Sequence, residues 1–411
     1  MLKRIKNLVG TVCLALSCLA VVPNSAFAHG EKALEPFIRM RTIQWYDVQF
    51  SQDKLAVNSE VAITGKFHVA EDWPSSVPKP DMAYLNVSTP GPVFIRTERY
   101  LNGQPWVSSA ALKPGGDYDF KIVLKGRLPG RYHIHPFFNL HDAGAVMGPG
   151  HWVEVTGDAA AFSNTVKTLG GATIDMESVG FANGVSWHGL WIVLGTAWLL
   201  WWVRRPLFLP RYKMLQSGRE QELITPLDKT IAKGILVVVP LFVFGAYALA
   251  ESQYPNNIPL QTALDQIDPL PPVVNTSLVQ IKVTRTEYHI AGRSMNMVAQ
   301  IHNLSDQPVQ IGEFTTANLR FINPAAGLPA KDQGDTMVAA KGLTVDDAQP
   351  IQPGETRTVR IAAADALWET EKLEGLFRDA DSRMGGLLFL YDAGGKRYIA
   401  SVSTAVIPKF D

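Results

Sequence analysis

No Asp, Glu, Lys or Arg occurs between residues 185 and 203, and Val, Leu and Trp make up most of that run. An apolar helix of this length just spans the hydrocarbon core of a bilayer. A chain built around such a run cannot be a single water-soluble domain. His188 lies inside it, while Trp187 and the pair Trp201-Trp202 mark its ends, where aromatic rings favour the membrane interface. An intramembrane histidine is a functional candidate by default; here we expect it to bond a neighbouring helix of a partner protein. A second apolar run covers residues 231–250, with Lys233 placed to snorkel outward and Pro240 to bend it slightly.

The loop joining the two runs carries Arg204, Arg205, Arg211, Lys213, Arg219, Lys229 and Lys233 against Glu220, Glu222 and Asp228. Such an excess of basic residues marks the cytoplasmic side. The first helix then runs inward and the second outward, which leaves both flanking regions outside the cytoplasm. The amino terminus requires the same arrangement. Residues 1–28 read as a secretory signal: Lys3, Arg4 and Lys6, an apolar stretch over residues 8–22, then the small-x-small site Ala26-Phe27-Ala28.

The two cysteines, Cys13 and Cys18, both fall in that segment. The exported chain would therefore have no thiol, which excludes disulfides, cysteine-ligated zinc, iron–sulfur clusters and blue copper. Formal charge is zero, with 38 basic and 38 acidic side chains and no basic stripe, so nucleic acid is not an expected partner.

Residues 29–170 read as a β domain. Val61-Ala62-Ile63-Thr64-Gly65-Lys66-Phe67-His68-Val69 and Tyr118-Asp119-Phe120-Lys121-Ile122-Val123-Leu124 alternate apolar with polar residues. Pro-Gly turns at 90–92, 113–116, 128–130 and 148–150 separate such segments. Many short strands at this spacing predict an antiparallel sandwich or barrel. Residues 171–251 hold the two membrane helices, and 252–272, with Pro255, Pro259, Pro269, Pro271 and Pro272, form an extended linker. Residues 273–411 are a second β domain. Its turn Gln352-Pro353-Gly354-Glu355 echoes Lys113-Pro114-Gly115-Gly116, which hints at an internal repeat of two like sandwiches.

Chemistry concentrates at Arg131-Tyr132-His133-Ile134-His135-Pro136. On a strand, His133 and His135 share a face and lie close enough to grip one metal ion. Signal cleavage would make His29 the first residue, able to offer an α-amine and a ring nitrogen together. Three histidines and an amine form an all-nitrogen set that zinc accepts but that leans toward Cu(II). Imidazole ligands must be neutral, so binding should weaken below about pH 6. Glu31 is a candidate to support the terminal ligand from behind. His68, alone on its strand, is more simply structural and only a secondary metal candidate. His141, His151, His289 and His302 show no partner in sequence. Phosphate loops, dinucleotide fingerprints, H-E-x-x-H and G-x-S-x-G are missing.

Several of these runs carry a family resemblance. His29-Gly30-Glu31-Lys32, Arg39-Met40-Arg41-Thr42-Ile43-Gln44-Trp45-Tyr46-Asp47 and Gly91-Pro92-Val93-Phe94-Ile95-Arg96 closely resemble the B subunits of particulate methane monooxygenases. So do the histidine pair at 133 and 135, Arg204-Arg205-Pro206, and Gly312-Glu313-Phe314-Thr315-Thr316-Ala317. The B subunits of ammonia monooxygenases are the sister family. The resemblance implies a mainly β chain: two cupredoxin-like antiparallel β-sandwich domains flanking a hairpin of two transmembrane α-helices. It implies that both domains face the periplasm from a bacterial inner or intracytoplasmic membrane. Assembly with the A and C membrane subunits, as a trimer of three-subunit protomers, is also implied, as is copper on His29, His133 and His135.

One departure is visible: where family members with a second, bis-histidine copper site have a histidine, this chain has Gln44, a poor copper ligand. The function implied is that of the copper-binding component of a membrane enzyme that oxidises methane to methanol with dioxygen. Ammonia as substrate, or a non-catalytic copper-binding assembly role, are the alternatives. A stand-alone electron carrier is disfavoured by the lack of a thiolate.

Overall fold

The computed structural model describes residues 36–106, 108–168, 170–253, 264–265, 267–327, 337–373, 376 and 381–410. The signal segment, His29, Glu31 and most of the expected linker lie outside them. The chain divides into two compact units, Met1–Ala160 with Thr262–Asp411, and Ala161–Gln261. It is mainly β by element count.

The first unit opens with the short helix α1 (Pro36–Arg41) and the strands β1 (Ile43–Phe50), β2 (Lys54–Ala56) and β3 (Glu60–Val69). There follow β4 (Ala83–Ser88), β5 (Phe94–Leu101), β6 (Gln104–Pro105), β7 (Ser109–Ala110), β8 (Asp117–Gly126), β9 (Gly130–Leu140), β10 (Gly144–Met147) and β11 (His151–Thr156). Two sheets face one another. One runs β1-β3-β8-β5-β6; the other runs β7-β4-β9-β11-β2, with β10 hydrogen-bonded to β9. Between them Trp45 stacks on Phe138 at 5.2 Å and meets Phe120 edge-on, while Phe67 stacks on Tyr118 at 5.1 Å. Offset and edge-on rings of this kind add to the burial of the rings themselves.

The second unit holds β12 (Thr165–Lys167), β13 (Thr173–Asp175), α2 (Phe181–Val203), α3 (Leu209–Gln216) and α4 (Pro226–Gln253). Trp187 and Trp191 of α2 pack on Phe242 of α4 at 5.0 and 5.9 Å, so the long helices form a hairpin. Thr225 and Asp228 close a capping box at the start of α4: the Asp228 carboxylate accepts from the Thr225 amide, and the Thr225 hydroxyl faces the Asp228 amide. Asp228 also accepts from Trp201 of α2 and from Arg205 just beyond that helix, at 2.9 and 2.6 Å. One of the loop's few acids is thus a buried hub. Among the described residues only α4 is both long and apolar enough to cross a membrane by hydropathy. Two membrane spans were expected; α2, 23 residues without a formal charge, is the other long helix of the hairpin. His188 Nδ1 donates to the Gly184 carbonyl one turn back, at 2.7 Å.

The remaining strands return to the first unit. They are β14 (Leu264–Asp265), β15 (Val279–His289), β16 (Ser294–Asn303), β17 (Val309–Thr316), β18 (Leu319–Ile322), β19 (Val338–Ala339), β20 (Leu343–Val345), β21 (Thr356–Ala364), β22 (Arg383–Asp392) and β23 (Arg397–Lys409). Apart from β14 they make one continuous sheet in the order β19-β18-β17-β22-β23-β15-β16-β21-β20. A second two-sheet sandwich was expected; its strands lie on one continuous nine-stranded path around a shared core, to which β16 and β21 contribute from one part and β17 and β22 from the other. The echoed turns do match, because Gly115 (φ 76°) and Gly354 (φ 78°) each take the left-handed conformation that a Pro-Gly turn demands.

The two β regions are also not independent. Trp45 of β1 points into the first core, while Tyr46 packs with Val274, Leu387, Phe389 and Ile399. β1 is buried on both faces over its first four residues. Ion pairs reinforce this wall. Arg397 holds Asp47, and Arg383, with the Ser403 hydroxyl, holds Asp72 at 2.8 Å. Burial works to raise both carboxyls, but Arg397 outweighs it at Asp47. Ser403, Arg383 and Arg41 outweigh it at Asp72, so both titrate below the ordinary carboxylate range.

The end of the expected linker is fastened rather than loose: β14 pairs in parallel with β7. Asp117, 2% exposed, accepts from the backbone amides of Val273 and Val274 at 2.7 and 2.9 Å.

Candidate metal centre

β9 carries both candidate histidines, and period-2 alternation sends Ile134 into the core while His133 and His135 face outward. β9 is central in its sheet, flanked by β4 and β11, so the strand cannot slip without breaking two ladders. The two rings lie 4.5 Å apart and nearly perpendicular, and His135 Nε2 is 3.1 Å from His133 Nδ1.

Each ring is held from behind. His135 Nδ1 donates to the Gly148 carbonyl at 2.9 Å. That hydrogen bond fixes the tautomer and leaves Nε2 with a lone pair, the usual way a ligating imidazole is oriented. His133 lies against the Trp152 ring at 4.9 Å, and the Arg131 guanidinium covers the other part of that ring at 4.7 Å. Trp152 faces His133 because the two residues are register partners on β11 and β9. The turn Gly148-Pro149-Gly150 wraps closely around His135: a Cβ on Gly150 would lie 2.3 Å from its ring.

The histidines open into a cleft of about 810 Å³ that also takes in Arg39, Trp152, Glu154 and Glu371. Two nitrogens each about 2.0–2.1 Å from one metal ion at a right angle are about 2.9 Å apart. The observed 3.1 Å spacing is close to that separation, with both rings on the one strand β9. Among the described residues no group of three or more His, Cys, Asp or Glu side chains is placed to hold a metal. The described donors number two, and His29 and Glu31 fall outside.

His68 lies elsewhere, 1% exposed, with Nδ1 bonded to Asp117 at 2.7 Å. Its Nε2 has no hydrogen-bond partner among the described residues. Its register partner across β1 and β3 is Gln44. His151 bonds Asp53 at 2.8 Å on the rim of the cleft. Gly148, Gly150, Trp152 and Arg39 escaped the sequence reading as site residues. The spacing Gly148-Pro149-Gly150 was visible, but only as a turn.

A β framework that presents two oriented imidazoles 3.1 Å apart is a candidate seat for a transition metal held through nitrogen. The model for the family of monooxygenase B-subunit proteins matches residues 30–410. The particulate methane monooxygenase alpha subunit of Methylococcus capsulatus (strain Bath) is 43% identical over 397 residues, 96% of this chain and 95% of that one. The cupredoxin domain of amoB from Nitrosocaldus yellowstonii matches 29% of this chain and 91% of its own. It is 18% identical with a TM-score of 0.25, a likeness too partial to build on. The chain belongs to the monooxygenase B-subunit family, and it is one component of a membrane monooxygenase.

Proposed function

We propose that this chain is the copper-carrying component of a membrane-bound enzyme that oxidises methane to methanol with dioxygen and a reductant. The observation that carries the reading is the 3.1 Å approach of His135 Nε2 to His133 Nδ1 at the mouth of the cleft. His29, freed by signal cleavage, supplies the third imidazole and an amine. The arm from residue 29 to Pro36 reaches up to about 25 Å when extended. It leads into α1, whose Arg39 lines the same cleft as the histidine pair. Glu31 sits on that arm as a hydrogen-bond acceptor for the terminal ligand.

Copper bound there would supply the redox chemistry that water and side chains lack. The chain's own residues do the rest. The Gly148 carbonyl keeps a proton on His135 Nδ1, so that Nε2 stays available. Trp152, itself covered by Arg131, packs on the ring of His133. Methane is the substrate proposed because the relative from Methylococcus is named for it. The exposed apolar faces of α2 and α4 fit a bilayer crossed twice and contact with the A and C membrane subunits, in a trimer of three-subunit protomers. Both β regions then face the periplasm. His68, opposite Gln44 and already bonded to Asp117, remains a secondary position for metal.

His133→Ala in the intact complex tests the reading. Loss of the nitrogen-rich Cu(II) resonance and of turnover, with assembly retained, is the expected result. Full turnover without that resonance would assign the copper an assembly role instead.

A further inference from the structure

The family assignment leaves the nine-stranded β region without a task at the histidine cleft, yet two of its features reach the site. The tight turn between β17 and β18 places Ala317 (φ 47°) and Asn318 (φ 71°) both in the left-handed region, the pattern of a two-residue type I′ turn. Asn318, 8% exposed, donates from Nδ2 to the Met147 carbonyl at 2.9 Å. Met147 directly precedes Gly148, whose carbonyl orients His135. On the opposite side, α1 divides its side chains between the regions. Ile38 enters the first core, whereas Met40, fully buried, enters the core of the nine-stranded sheet. Gly385 permits that approach, since a Cβ there would fall 2.7 Å from the Met40 carbonyl oxygen. Arg39 pairs with Glu371 at 3.1 Å and Arg41 with Asp381 at 2.8 Å.

We infer that the nine-stranded region is the positioning device of the metal centre, with Asn318 as the positioning residue that holds the Met147–Gly148 peptide behind His135. This deepens, and rests on, the copper reading above. Asn318 touches neither metal nor substrate. It acts through one backbone carbonyl on the next, while α1, tied to the same region by Arg39 and Glu371, brings Arg39 to the cleft.

The test uses the purified intact complex carrying Asn318→Gly, which keeps the left-handed backbone but removes the donor, and Asn318→Asp, which sets a carboxylate against the Met147 carbonyl. Copper retention is titrated against a competing chelator, with the Cu(II) resonance and melting temperature read in parallel. Loss of a hydrogen bond that supports a ligand typically weakens metal binding ~10–100-fold; acting one peptide further out, Asn318→Gly should weaken it ~10-fold and shift the resonance at an unchanged melting temperature. Asn318→Asp should weaken it more. Wild-type copper affinity in both variants overturns the inference, as does a loss of affinity that merely follows a fall in melting temperature. His133→Ala separates the two levels. If that variant keeps copper, the copper reading itself fails; if it loses copper while Asn318→Gly does not, only the positioning role fails.

Discussion

Gly150→Ala adds one methyl group beside the histidine pair, and the structure states where it must go. An ideal Cβ at this position lies 2.3 Å from His135 Cε1 and 2.5 Å from Nδ1. Carbon atoms in ordinary contact keep about 3.5–4.0 Å, so more than an ångström has to be found. The backbone behind Gly150 is one source, but Gly148 is bonded through its amide to the Pro136 carbonyl at 2.7 Å, and Met147 is held by Asn318. The imidazole is the other, and turning it breaks the hydrogen bond to the Gly148 carbonyl. A rotation of about 30° costs roughly 0.5–1.5 kcal/mol, and the lost hydrogen bond about 1 kcal/mol more. The sum corresponds to a ~10–100-fold loss of copper affinity, the range seen when a bond supporting a metal ligand is removed. Competitive chelation of copper from the purified complex reads this directly. Gly292→Ala is the control, because a Cβ there meets nothing nearer than 3.4 Å. Wild-type copper affinity and resonance in Gly150→Ala would refute the steric argument.

Two further outcomes concern the framework. Asp117→Ala strips acceptors from His68 and from the Val273 and Val274 amides in a buried place; a destabilisation of about 3–5 kcal/mol is expected, read as a lowered melting temperature with earlier proteolysis near residue 273. Acid should loosen the wall between the β regions. Asp47 and Asp72 are held below the ordinary range, so their contribution is complete above the unfolded value of about 3.9 and is lost as pH falls through the lower folded values. Protection factors at β1 and β23, corrected for the intrinsic exchange rate, should therefore stay flat from about pH 7 to about 5 and fall below about 4, and Asp47→Asn should flatten part of that fall.

The histidine pair was legible because a strand's period is fixed: two residues apart means one face, whatever the fold. Its supports were not. Gly150 matters for what it lacks, and only coordinates reveal what a side chain there would strike. Asn318 lies 171 positions from Met147, and no local pattern joins them. The β1 segment gave no alternating signal to read: Ile43, Gln44, Trp45 and Tyr46 are all buried, because a second sheet takes the face that water would otherwise have. The linker's prolines gave no sign that Asp117 would tie down its far end. The apolar helices were plain by composition.

Because β1 is common property of two cores, any attempt to cut the protein into halves meets an awkward edge. A fragment ending before the helices would keep Trp45 sheltered yet bare Tyr46 together with the unpaired charge of Asp47, and the complementary piece would display Leu387, Phe389 and Ile399 to solvent. Fragments that carry both β regions, spliced across residues 161–261 by a short flexible bridge, keep that seam closed.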